Sequence, residues 1–175
     1  MPPEGETHDC DLVVVGSGAA GLTAAATAAF LGLDVIVLEK EPQLGGTSAW
    51  SGGWMWVPRN PLATESGFVE GIEAPRRYLR AELGPAYDDA LSTMFLEQAP
   101  RMVRFLRDDL GIAFVAGAGI PDFHDTSDGA GFGNLPRIDH EVLAQHGQRA
   151  GRAGFDQKVF MPLKIRGVGQ DREAG

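Results

Sequence analysis

Between Leu12 and Leu33 no residue is charged, a stretch long enough on length alone to cross a membrane. Its internal pattern argues otherwise. Leu12-Val13-Val14-Val15 is a β-type apolar run, Gly16-Ser17-Gly18 breaks it, and the Ala-rich stretch from Ala19 to Leu31 has the composition of a helix that stops at Gly32. Asp34-Val35-Ile36-Val37-Leu38-Glu39 then reads as a second strand. It is apolar without alternation between charged ends, as expected of a parallel strand covered on both faces. Strand, tight turn, helix and strand form a βαβ unit, so the fold class expected is α/β.

Past Glu39 the periodicity loosens. Residues Glu41 to Ser48 and Ser51 to Pro58 mix small residues with large aromatics and read as a loop-rich lining. Ala74 to Leu83 predicts a short helix with Pro75 tolerated in its first turn, and Asp88 to Gln98 predicts another with Leu91 and Phe95 one turn apart. Pro100 is expected to open a further helix, in which Met102, Phe105, Leu106 and Leu110 keep helical spacing as far as Gly111. The aromatic and Met positions are expected in the core. From Gly117 onward Gly, Asp and His accumulate. The expectation there is an irregular tail with a short helical possibility at Asp139–Gln148, one strand-like run at Lys158–Ile165, and no clear closing element for a parallel sheet.

Composition narrows the partners. Hydrophobic residues at 43% and charged residues at 22% match an ordinary globular chain rather than a disordered one. Fifteen Lys and Arg against 24 Asp and Glu give a net charge of -9, the wrong sign for holding a polyphosphate backbone, so nucleic acid is excluded as a partner. Cys10 is the single cysteine, and the start Met1-Pro2-Pro3-Glu4 lacks the basic and apolar regions of a secretory signal. A cytoplasmic location is expected, without a transmembrane segment.

The 24 glycines imply tight turns or close backbone approach, and six positions at the first turn show where. Gly16-Ser17-Gly18-Ala19-Ala20-Gly21 is G-x-G-x-x-G. It follows the first strand, opens the helix, and is trailed about 20 residues on by an acidic residue, Glu39, at the end of the second strand. In such a Rossmann-like unit Gly16 permits the sharp turn, Gly18 lets the backbone approach a pyrophosphate, and Gly21 lets the helix pack closely on the strand. The N–H groups at the helix start meet the phosphates, while Glu39 would accept hydrogen bonds from ribose hydroxyls and repel a 2′-phosphate. Lys40 adjoins it in the candidate set. The plain alternative is a Gly-rich turn that binds nothing.

Six positions after Glu39, Gly45-Gly46-Thr47-Ser48 is followed by Ser51-Gly52-Gly53. This segment resembles the second flavin-contacting stretch of the FAD-dependent oxidoreductases related to fumarate reductase, succinate dehydrogenase flavoprotein and the 3-ketosteroid dehydrogenases. The resemblance implies that Gly45 and Gly46 lie along the FAD diphosphate and ribose, that Thr47 and Ser48 supply hydroxyls, and that Ser51, Gly52 and Gly53 approach the isoalloxazine edge. A surface turn is the alternative for the same residues. The run from Gly46 to Asn60, with Trp54-Met55-Trp56-Val57-Pro58-Arg59-Asn60, is most similar to the 3-ketosteroid Δ1-dehydrogenase branch. Arg76 to Leu79 and Pro100 to Leu106 look like that branch's helical segments, and the likeness fades after Asp122-Phe123-His124. It implies a small hydrophobic substrate of the steroid kind and hydride transfer to flavin N5. No His lies between Gly46 and Gly53, so the FAD is expected to be non-covalent.

The resemblance also has departures. Its steroid dehydrogenases use tyrosines on the substrate ketone, whereas this chain has only Tyr78 and Tyr87, both expected in helices, and Phe123 where the resemblance implies an aromatic hydroxyl. Catalytic residues are therefore unassigned. Relatives of this kind are several hundred residues long, which implies an incomplete, N-terminal part of such an enzyme. On this reading residues 9–60 form the FAD-binding unit and flavin-contacting loop, 61–116 a helical segment, and 117–175 an irregular Gly-rich tail that would start a substrate domain. A fumarate-type flavoprotein and a catalytically incomplete nucleotide-binding segment are the alternatives. His8, His124, His140 and His146 have no metal-site or triad spacing, and Asp88-Asp89 and Asp108-Asp109 read as helix-end and exposed pairs rather than catalytic carboxylates. No metal site is expected, and the sequence specifies no electron acceptor.

Overall fold

A computed structural model of the chain describes residues 7–117, 119–131, 136–138 and 163–165, which fall into two compact units. The first unit comprises residues 1–51 and 141–175, the second residues 52–140. The predicted helix at Asp139–Gln148 lies outside the described residues.

In the first unit the expected βαβ is present almost to the residue. Strand β1 (Leu12–Val15) leads into helix α1 (Ala19–Phe30), which returns to strand β2 (Val35–Leu38), parallel to β1 with Val14 opposite Val37. The alternation of a strand puts Leu12 and Val14 of β1 on the same face as Val35 and Val37 of β2. That face packs on Ala25, Ala28 and Ala29 of α1, and these methyl-sized side chains let the helix lie close to the sheet. Val35 and Val37 have no exposed surface, and each contributes roughly 1.5–3 kcal/mol by leaving water. Asp11 pins the mouth of the unit, since its carboxylate accepts the Asp34 N–H at 2.8 Å.

Val13 and Val15 of β1 are 50% and 79% exposed, whereas Ile36 and Leu38 of β2 are half-buried, so the second strand is the better covered. One expectation about this sheet is corrected: it is mixed rather than parallel, because strand β5 (Leu163–Ile165), the end of the strand-like run read from sequence, pairs antiparallel with β2. The order is β1-β2-β5, so β2 is central and gains ladder bonds on both edges.

The second unit contains helices α2 (Pro61–Glu65), α3 (Glu73–Leu83) and α4 (Asp89–Asp108), with a two-stranded ladder of β3 (Phe114–Val115) and β4 (Arg137–Ile138). Helix α2 was missed in sequence although it carries a legible start. Asn60 is its N-cap, accepting the Ala63 N–H at 2.9 Å, and Pro61 takes the first helical position. Asp88 caps α4 in the same way, accepting the Leu91 N–H at 2.8 Å, with Asp89 in its first turn. These acidic residues serve the helix end, as read from sequence.

Pro100 does not open a new helix. Helix α4 runs through it for 20 residues, despite a lost backbone hydrogen bond and a ring clash that cost about 3 kcal/mol in a helix interior. Packing decides the matter. Ser92, Leu96, Ala99, Val103 and Leu106 form one buried stripe at three- and four-residue spacing that straddles the proline, and Ala99 and Val103 join Val57 and Leu62 in the core of this unit. The expectation that Met and aromatic positions of α4 are core is likewise corrected. Leu91, Met94, Phe95 and Met102 are 36–62% exposed, because they lie off this stripe. Phe95 instead stacks on Trp56 at 5.9 Å with planes 8° apart, and Trp56 also contacts Tyr78 at 5.3 Å.

The position of the stripe makes a pair of truncations informative. Leu96→Ala should destabilise the chain by about 2–5 kcal/mol, whereas Leu91→Ala, the same truncation at an exposed position of the same helix, should stay within about 0.5 kcal/mol. Urea unfolding followed by helical circular dichroism compares the two directly, and equal effects would remove the stripe as the source of α4's continuity.

Candidate functional site

The turn between β1 and α1 is set by the two ends it joins. The Gly16 N–H donates to the Leu38 carbonyl at 2.7 Å, which continues the β1–β2 ladder into the turn. Helix α1 then begins at an N-cap, Gly18, that has no side chain to satisfy the first N–H groups, and its first turn holds no acidic residue. Ser48 Oγ accepts from the first of these donors, Ala19 N–H, at 3.2 Å. The remainder is the positive end of a helix of 12 residues, suited to an anion.

Two glycines of these turns lie close to other main chain, Gly21 so closely that contact alone requires it. A Cβ on Gly21 would lie 2.0 Å from the Gly16 carbonyl oxygen, so no other residue fits where the helix passes the turn. A Cβ on Gly46 would lie 3.3 Å from Gly18 Cα, and Gly46 also has a φ of 52°. Gly18 differs, because a Cβ there meets nothing within 4 Å. Its freedom from a side chain is not demanded by the protein's own packing. These observations fit a dinucleotide, since open space lies beside Gly18 at an uncapped helix end with a second backbone turn against it.

Glu39 occupies the tip of β2 and is 6% exposed. Its Oε2 accepts from both Ser17 N–H at 2.8 Å and Ser17 Oγ–H at 2.5 Å, and its Oε1 accepts from Lys40 N–H at 2.8 Å and Glu41 N–H at 3.0 Å. The Ser17 hydroxyl, followed by the surrounding backbone N–H groups, holds this carboxyl down to about 2 against an ordinary value of 4.5. Ser17 has no exposed surface, and its Oγ in turn accepts from Gly45 N–H at 2.9 Å.

The structure thus brings together Gly16, Ser17, Gly18, Ala19, Gly21, Glu39, Gly45, Gly46 and Ser48. Ala20 is exposed in the first turn of α1, and Lys40 contributes its backbone N–H while its ammonium points to solvent, 3.9 Å from Glu41. Gly46 to Trp50 form a short 3-10 helix in which Thr47 is exposed, and Ser51 Oγ donates to the Ser48 carbonyl at 2.8 Å. Gly52 and Gly53 open the second unit. The role of Ser17 as a link was missed in sequence, because the motif leaves its second position open and no spacing rule pairs it with Gly45.

In the second unit, Tyr78 is buried, its hydroxyl accepts from His124 N–H at 3.4 Å, and burial pushes its phenol above the ordinary value. Tyr87, expected in a helix, instead lies in the extended link between α3 and α4, where its Oη donates to Asp89 Oδ1 at 2.9 Å. Glu82 accepts from Ser127 Oγ at 2.5 Å and pairs with His124 Nδ1, and these partners, Ser127 first, lower its carboxyl. Both groups bond the glutamate rather than each other, so no nucleophile–base pair forms. Asp122, almost fully buried, accepts from Trp56 Nε1–H at 2.8 Å and from Gly131 N–H at 2.9 Å. Among the described residues no three His, Cys, Asp or Glu could share a metal ion, and no helix is long and apolar enough to cross a membrane.

Together the βαβ unit, the glycine turn and the acidic strand end define a dinucleotide-binding α/β protein. The chain belongs to the FAD binding domain family, whose model matches residues 11–163. It is 45% identical over 121 residues to 4-oxocyclohexanecarboxylate 2-dehydrogenase of Sinomonas cyclohexanicum, covering 69% of this chain and 21% of that protein. It is 43% identical over 118 residues to 3-oxosteroid 1-dehydrogenase of Rhodococcus opacus, covering 67% and 23% respectively. Among solved structures, 3-ketosteroid delta1-dehydrogenase from Sterolibacterium denitrificans in complex with 1,4-androstadiene-3,17-dione superposes with a TM-score of 0.66 at 32% identity, over 85% of this chain and 27% of that one. The chain therefore spans between about a fifth and just over a quarter of the length of these relatives. The flavoprotein resemblance read from Gly45 to Asn60 is borne out at the level of the family.

Two measurements follow from this geometry. Gly21→Ala should abolish cooperative folding of the first unit, whereas Gly18→Ala should change ligand-free stability by no more than about 1 kcal/mol, as thermal unfolding of the two variants will show. The depressed Glu39 carboxyl implies that its contribution to stability is complete above about pH 4.5 and is lost as pH falls towards 2. Urea midpoints near pH 6 and near pH 3 should therefore differ more for the natural chain than for Glu39→Gln, and an equal difference would contradict the assigned role.

Proposed function

We propose that this chain binds FAD non-covalently and forms the FAD-binding part of a dehydrogenase that desaturates a ring next to a ketone. The single observation behind the reading is the pair of glycine turns at the start of α1, Gly16–Gly18 and Gly45–Gly46, whose main chains approach so closely that a side chain on Gly46 would crowd Gly18. Such a backbone cradle suits a diphosphate, and the relatives' names supply the chemistry. A 4-oxocyclohexanecarboxylate 2-dehydrogenase and a 3-oxosteroid 1-dehydrogenase both act on a cyclic ketone.

In this reading the free N–H groups of α1 face the diphosphate, Ser48 passes a hydrogen bond from Ala19 to it, and Glu39, whose two oxygens already hold four donors, fixes the turn that lies beside the ribose. Thr47, Ser51, Gly52 and Gly53 follow along the flavin, and Lys40 adds a cation at the rim. Bound FAD supplies the hydride acceptor at flavin N5. Residues 9–60 carry these contacts, 61–116 the helical segment, and 117–175 begin the region that meets a small hydrophobic substrate, steroid-sized at its largest. The sole cysteine, Cys10, suits a reducing cytoplasm. No residue described here is assigned to the proton transfer.

The test is the visible absorption spectrum of the chain purified without added cofactor, recorded before and after heat precipitation. Flavin absorption that moves into the supernatant is the expected result. Flavin that stays with the precipitate would overturn the non-covalent assignment, and a colourless chain that takes up no added FAD would overturn the cofactor reading.

A further inference from the structure

We infer that Ser17 is a positioning residue for the cofactor site, its hydroxyl joining the Glu39 carboxylate to the Gly45 amide so that the two glycine turns are held in place before a ligand arrives. The geometry stands on the protein's own bonds, and only the identity of the ligand rests on the FAD reading above.

A serine hydroxyl has one proton to give and two lone pairs. A carboxylate only accepts, so the Ser17 proton is committed to Glu39 Oε2 at 2.5 Å. A backbone amide only donates, so the Gly45 N–H must enter a Ser17 lone pair, at 2.9 Å. The polarity of the chain is therefore fixed, from Gly45 N–H to Ser17 O–H to Glu39. Each bond strengthens the next at a position where Ser17 has no exposed surface. The Glu39 end is itself immobile, because three backbone N–H groups, of Ser17, Lys40 and Glu41, bond the same carboxylate.

Gly45 immediately precedes Gly46, the residue in close approach to Gly18. The second tie between the two turns, Ala19 N–H to Ser48 Oγ, is longer at 3.2 Å and exposed. Anchoring of the Gly45 amide thus depends on Ser17. Alanine at position 17 would leave the Gly16–Gly18 turn free to form, yet would strand the Gly45 N–H and remove the strongest single cause of the low Glu39 carboxyl. A site ordered in advance loses less freedom when it binds, which is where the gain in affinity arises.

The experiment uses the full chain, uniformly labelled with nitrogen-15, in four forms: natural, Ser17→Ala, Glu39→Gln and the double variant. Without ligand, Ser17→Ala should speed hydrogen exchange at Gly45 about tenfold or more while the amides in the middle of α1 keep their protection. Titrated with FAD, Ser17→Ala should raise Kd about tenfold, and the same substitution on the Glu39→Gln background should add much less. Unchanged Gly45 exchange in folded Ser17→Ala, or an equal loss of FAD affinity on both backgrounds, would overturn the inference. Should Ser17→Ala lose the α1 signals, Ser17→Cys, which fills the buried position with a much weaker donor, carries the same expectations. A natural chain that takes up no FAD would sink the cofactor reading, and the Gly45 exchange rates would still decide whether Ser17 holds the turns together.

Discussion

The carboxylate of Glu39 is a charge almost withdrawn from water, and the arrangement around it governs what the first unit can be. A buried carboxylate is costly unless each oxygen is satisfied, and here four donors converge on the two oxygens. Three of those donors are backbone groups, so the tip of β2, the first turn and the segment after Glu39 are fixed in one arrangement. The fourth is Ser17, which extends the network to Gly45. Remove the carboxylate and the turn before α1 loses the partner that orients it.

The strand and helix beneath this network are there to hold its ends at the right separation. Parallel pairing of β1 with β2 places Val15 opposite Leu38, so the turn that follows β1 starts beside the residue that follows β2. Ala25, Ala28 and Ala29 bring α1 close enough for the helix start to pass within contact distance of Gly16, at the cost of admitting only glycine at position 21. The packing of small residues in the core and the absence of a side chain at the turn are two consequences of the same short distance.

The second unit shows the opposite balance between local preference and burial. Pro100 is locally a helix-breaker, and its position between Ala99 and Val103 does not change that. Helix α4 persists because the buried stripe on both sides of the proline gains more by staying on one axis than the missing hydrogen bond costs. Phe95 is a related case. It has the hydrophobicity of a core residue but meets Trp56 at the edge of the unit, where its ring stacks and stays partly exposed.

By itself the sequence determined what depends on neighbours in the chain. The apolar runs Leu12–Val15 and Val35–Leu38, the Ala-rich helix between them, the Gly16–Gly21 spacing and the capping aspartate at 88 are all local patterns with local physical causes. Helix α2 belongs with them, since Asn60-Pro61 is a start signal that could have been read. Only the tertiary structure decided the remainder. Whether Pro100 interrupts a helix, which face of α4 is buried, how β5 pairs with β2, and that Ser17 reaches from Glu39 to Gly45 all depend on residues far apart in sequence. Burial and hydrogen bonding act through space, and a hydroxyl carries no mark in the sequence of which distant amide it will meet.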